Sequence, residues 1–95
     1  MMAEKPQIEK EIEVGTDEEI KEPATVILFN DETHSFDEVI FQLVKALKCE
    51  ITKAESLTWE VHNNGQAVVY RGDMPKCIEV SGVLEEIDLM TQIEM

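Results

Sequence analysis

Basic residues are scarce in this sequence, and so are aromatics, glycines and cysteines. Eight Lys and Arg stand against 21 Asp and Glu in 95 residues, giving a formal charge of −13. Such a surface repels phosphate backbones and anionic lipid headgroups, so neither nucleic acid nor a membrane is expected as a partner. It would instead steer cationic ligands, a protonated α-amino group among them. With four glycines and no glycine-rich run, a phosphate-binding loop is not expected. Cys49 and Cys77 form no CxxC or paired spacing, and together with His34 and His62 they lack the spacing of a zinc site. No metal site is therefore expected. The start MMAEKP is polar, so the thiols read as reduced and the chain as cytoplasmic. No apolar run approaches transmembrane length. Hydrophobic content of 43% with only 5% aromatics suffices for one small core of marginal stability.

Composition changes at Glu22-Pro23. The stretch before it is rich in Glu and Lys and carries only isolated Ile and Val. It cannot bury enough surface to offset its ordering entropy, so residues 1–23 read as a flexible acidic extension and residues 24–95 as the domain. A monomer is expected.

The domain opens with Ala24–Phe29, an apolar, β-branched run that reads as a buried strand and stops on Asn30-Asp31-Glu32. Ser35 and Glu38 have the spacing of a capping box. Behind them Phe36, Val39, Ile40, Leu43, Val44 and Leu47 recur at helical spacing to about Lys48. A second box, Thr52 to Glu55, is expected to start a helix carrying Ala54, Leu57, Thr58 and Val61. Asn63-Asn64-Gly65 would form its left-handed cap. His62 falls in the last turn, four residues after Thr58 and three after Trp59, at the edge of the buried face; Trp59 and Val61 read as core. Gln66–Arg71 reads as a second strand. Asp73 is expected to cap a third helix with Pro75 in its first turn and Cys77, Ile78, Ser81 and Leu84 facing the core. Leu89–Glu94 alternates as a last strand. The order β-α-α-β-α-β predicts an α+β sandwich, a small antiparallel three-stranded sheet packed against three helices.

An amide, a carboxylate and an imidazole are groups that could hold a small cation, and Asn30, Asp31 and His62 supply one of each. Asn and Asp also occur wherever a strand must turn, and a histidine near a helix C-terminus is commonly a dipole-favoured surface residue. An enzyme using Asp31 and His62 as acid and base is a further possibility, although no second catalytic group or substrate clamp is visible. A Cys-His nucleophile pair also stays open, although both cysteines fall in or at the end of helical patterns.

The run VILFND, the helix with FDEVI, and EVHNNGQAVV together resemble the ClpS-type adaptors of the bacterial N-degron pathway. The resemblance is colinear over about residues 24–72 and weaker beyond. It implies the same β-α-α-β-α-β sandwich, with no catalysis and no cofactor. It implies that Asn30, Asp31 and His62 clasp the free α-amino group of a substrate. A hydrophobic pocket of Phe36, Val39, Thr58, Val61 and Leu89 would hold the first side chain, with Glu32 and His34 at its rim. The expected function is an adaptor that captures proteins beginning with Leu, Phe, Tyr or Trp. It would deliver them to the N-terminal domain of a ClpA- or ClpC-type AAA+ unfoldase for degradation by ClpP.

The physical chemistry agrees. An α-amino group has a pKa near ~8 and offers three donors when charged. Asn30 and a neutral His62 can accept, and Asp31 adds charge. Hydrogen bonds to charged groups contribute roughly 1.5–3 kcal/mol each, and burying a Leu- or Phe-sized side chain adds about the same. After association costs, an affinity near micromolar, about −8 kcal/mol, is expected.

The chain departs from the family in four places. Glu32 stands where a second Asp is usual, and His34-Ser35-Phe36 replaces Thr-Pro-Met. Thr58 replaces a gating Met, which predicts a wider pocket that tolerates Trp or branched side chains. Asp73–Glu79 lacks the usual unfoldase-docking pattern. That last departure motivates an alternative, a regulatory interaction domain that modulates a Clp unfoldase without recognising N-degrons.

Overall fold

Strand, helix, helix, strand, helix, strand is the order of elements in the computed structural model, which describes residues 23–95. The expected flexible extension at 1–23 lies outside the described residues apart from Pro23. Strand β1 (Ala24–Phe29) is followed by helices α1 (Phe36–Leu47) and α2 (Ile51–Asn64), strand β2 (Gln66–Gly72), helix α3 (Met74–Glu85) and strand β3 (Thr91–Glu94). The strands form one antiparallel sheet with β1 in the centre, in the order β2-β1-β3. This is the α+β sandwich expected from the sequence.

The core lies between the sheet and the helices. Val26 and Leu28 of β1 and Ala67 and Val69 of β2 turn toward Leu43, Ala54, Val61, Cys77, Val80 and Leu84. Val68, between two of them, is exposed, as the two-residue period of a strand requires. The β1–β2 pairing carries a bulge: Val26 pairs with Tyr70 and Ile27 with Val68, so Val69 is the extra residue.

Ser35 and Glu38 cap α1 as expected. Glu38 N donates to Ser35 Oγ at 3.2 Å and Ser35 N to Glu38 Oε1 at 2.9 Å. Asp73 caps α3 by accepting from Lys76 N at 3.1 Å. The expected Thr52–Glu55 box does not cap α2. That helix starts at Ile51 with Glu50 at its N-cap, and no side chain bonds the cap; the Glu50 carbonyl accepts from Lys53 N and Ala54 N. Lys48 ends α1 in the left-handed conformation, leaving only Cys49 and Glu50 before α2, so the tight hairpin decides the start.

Two further expectations are corrected. Ile78 is 57% exposed, and Val80 joins Cys77, Ser81 and Leu84 on the buried side of α3. Ile78 lies about 100° round the helix from Cys77, off the stripe that positions 77, 80, 81 and 84 define. The last strand starts at Thr91 rather than Leu89. Asp88 adopts φ 65°, and Leu89 N and Met90 O bond Leu84 O and Phe29 N respectively, so the chain is still turning at Leu89 although that side chain is buried.

Candidate functional site

Strand β1 ends where α2 ends, and two backbone bonds make it so. Gly65, at φ 84°, closes α2 with its N–H on Val61 O at 2.8 Å, and its own carbonyl accepts from Asn30 N at 2.9 Å. The loop after β1 is thereby tied to the turn that carries Val61 and His62. Leu89 reaches the same place through the Phe29 N–Met90 O bond of 3.1 Å.

Between these segments lies a cavity of about 280 Å³. Its walls include all ten residues singled out in the sequence: Asn30, Asp31, Glu32, His34, Phe36, Val39, Thr58, Val61, His62 and Leu89. Val39, Thr58, Val61 and Leu89 are buried, whereas Asn30, Glu32 and His62 are exposed. The cavity is apolar in depth and polar at the mouth. Its volume suits one side chain rather than a larger ligand, for which about 300–1,000 Å³ is usual.

Thr58 is 4% exposed, and its hydroxyl donates to Ala54 O at 2.8 Å. That bond satisfies the polar half of the side chain within the helix and leaves its methyl for the apolar wall.

Asp31 is held on both oxygens. Its Oδ1 accepts from Thr33 N at 2.7 Å and Thr33 Oγ1 at 2.6 Å, and its Oδ2 lies 3.0 Å from His34 Nδ1. The Thr33 hydroxyl and amide, with the nearby His34, hold the carboxyl below the ordinary carboxylate range. The turn-forming role of an Asp after a strand is therefore present here, in residues that also line the cavity. The direction is opposite to that needed by a general base at neutral pH, which disfavours acid–base chemistry at Asp31. The thiol route fares no better: Cys77 is buried, and burial pushes its thiol up. Among the described residues no group of three or more His, Cys, Asp or Glu converges as a metal site.

Sequence reasoning did not single out Leu28, Phe29 and Ser35, which also line the cavity, nor the part played by Thr33. The Asp31-to-Thr33 spacing was the available signal, since Asx turns bond the amide two residues on. Trp59 is corrected from core to surface. It is 51% exposed and packs its ring against Phe36 and His62 instead.

Three comparisons bear on this fold and cavity. The model of the family "ATP-dependent Clp protease adaptor protein ClpS" matches residues 19–89. Among curated proteins, human E3 ubiquitin-protein ligase UBR1 is 42% identical over 53 residues, 56% of this chain. Mouse UBR2 is 34% identical over 79 residues, 80% of this chain. The chain spans only 3% and 4% of the length of these two ligases. Among solved structures, Agrobacterium tumefaciens ClpS2 bound to L-phenylalaninamide superposes with a TM-score of 0.71 at 18% identity, covering 76% of this chain and 94% of that one, a likeness of fold. The family match runs through every element that builds the cavity, from β1 to Leu89, and on that ground this chain belongs to the ClpS family of Clp protease adaptors.

Proposed function

We propose that this protein is a non-catalytic adaptor that recognises the free N-terminus of substrate proteins beginning with a bulky apolar or aromatic residue. The observation that carries the reading is the division of one cavity into an apolar interior and a polar mouth formed by Asn30, Asp31 and His62. A protonated α-amino group at the mouth would find an amide oxygen, a carboxylate and an imidazole nitrogen. The first side chain would enter between Phe36, Val39, Thr58, Val61 and Leu89, with Glu32 and His34 at the rim. Asp31 Oδ1 already accepts twice from Thr33, so an amine would bond Oδ2, whose one neighbour among the described residues is His34. The ClpS2 match lends support, because L-phenylalaninamide carries both a free α-amino group and a benzyl side chain.

Residues 24–95 would be the recognition domain, with residues 1–23 as an extension. Captured substrates would pass to the N-terminal domain of a ClpA- or ClpC-type unfoldase and thence to ClpP, in keeping with the family. The similarity to UBR1 and UBR2 favours a second reading of the downstream step only: the same recognition would serve a ubiquitin ligase. A regulatory domain without N-degron recognition remains the alternative that Asp73–Glu79 motivates.

Alanine at Asn30 or at Asp31 tests the site. Each should weaken binding of a Leu-start peptide by roughly tenfold or more, as expected for a hydrogen bond to a charged group. Wild-type affinity in both variants would refute the assignment of the clasp. Co-purification with an isolated ClpA or ClpC N-terminal domain, against a ubiquitin ligase, tests the delivery.

A further inference from the structure

Trp59 is the sole tryptophan of the chain, and it is half exposed on α2 without being part of the cavity wall. Its ring is not idle. It meets the Phe36 ring edge-on, with centroids 4.6 Å apart at 61°, and the His62 ring at 5.9 Å and 85°. Phe36 and His62 in turn meet each other at 5.3 Å and 69°. The three rings close a triangle in which every member packs against the other two.

Two corners of that triangle are cavity residues of different kinds from different helices. Phe36, at the first position of α1, supplies apolar wall; His62, in the last turn of α2, supplies an imidazole at the mouth. His62 is exposed and no side-chain hydrogen bond among the described residues holds its ring, and Phe36 is half-buried at the first position of α1. Trp59 stands three residues before His62, so both rings share one face of α2. Edge-to-face aromatic pairs contribute beyond simple burial, enough to bias the rotamers of partly exposed rings.

We infer that Trp59 is a positioning residue. It fixes the Phe36 and His62 rings relative to one another, and so couples the apolar wall of the cavity to the imidazole at its mouth. The consequence for ligand binding rests on the adaptor reading given above; the packing claim does not.

Trp59→Leu keeps an apolar, helix-compatible side chain but removes the ring, and Trp59→Phe keeps a ring. In the ligand-free protein, the nuclear Overhauser contacts between the Phe36 and His62 rings should weaken in Trp59→Leu and be retained in Trp59→Phe. With a Leu-start peptide, Trp59→Leu should bind roughly five- to tenfold more weakly and Trp59→Phe within about twofold of wild type. Thermal midpoints for both variants establish that they are folded. Undiminished Phe36–His62 ring contacts in a folded Trp59→Leu would overturn the inference, as would unchanged peptide affinity. Failure of the wild-type protein to bind the peptide would sink the adaptor reading, while the ligand-free spectra would still decide the role of Trp59.

Discussion

The amide of Asn30 donates to the carbonyl of Gly65 at 2.9 Å, fastening the loop after the central strand to the helix turn that carries His62. Asn30 and His62, 32 positions apart in sequence, are brought to one cavity mouth by that bond and by the left-handed Gly65 behind it. Gly65 has open space around a hypothetical Cβ, so its requirement is conformational rather than steric.

Gly65→Ala should therefore destabilise the fold by about 1–2 kcal/mol, the cost of a left-handed L-residue, and Gly65→Asn by less. Urea denaturation measures both. Equal stability of Gly65→Ala and wild type would mean that the turn relaxes without strain.

Thr58 is a buried wall residue of the cavity with its hydroxyl bonded inside the helix. Thr58→Met should fill part of the 280 Å³ and lower affinity for Trp-start and β-branched first residues relative to Leu. Peptides differing only in their first residue give the ranking. An unchanged ranking would show that Thr58 does not gate the pocket.

Asp31 is held below the ordinary carboxylate range by Thr33 and the neighbouring His34. A depressed folded pKa stabilises above the unfolded value near ~3.9, and that contribution is lost as pH falls through the folded value. Asp31 should thus leave the loop unaltered over about pH 5 to 8 and let it loosen only in acid. Carboxyl-carbon resonances followed against pH should place Asp31 below a free aspartate. In Thr33→Val, which removes one donor, the midpoint should rise.

Cys77 is buried with its thiol pushed up, whereas Cys49 is partly exposed. A thiol-modifying reagent at neutral pH should spare Cys77 in the folded protein and reach it in urea. Rapid labelling of native Cys77 would contradict the core packing described above.

Much of this architecture was legible in the sequence because local chemistry and packing agreed. Ser35 and Glu38 made both bonds of their box, Gly65 took the left-handed cap, and the apolar stripe of α1 matched its buried face. Where they disagreed, packing won. Starting α2 at Ile51 rather than after Thr52 buries the same Ala54, Thr58 and Val61, so the stripe could not fix the start and the hairpin did. Ile78 is apolar but off the stripe of α3, and composition alone could not show which of Ile78 and Val80 would be covered.

The site was legible in part for a different reason. Its residue types and their order were visible, but their convergence depended on backbone bonds between distant segments, such as Asn30 to Gly65 and Phe29 to Met90. Trp59 was misread because a large apolar side chain on a helix is normally core, and here its partners are the rings of Phe36 and His62.

The central claim is that the cavity takes a free α-amino group together with the side chain beside it. Trp59, touching both Phe36 and His62, provides an intrinsic fluorescence probe for a titration with a Leu-start peptide and its N-acetylated twin. The free peptide should bind with a Kd on the order of micromolar, and the acetylated one at least about tenfold more weakly, having lost its charge and its donors. Equal binding of the two peptides would contradict the account.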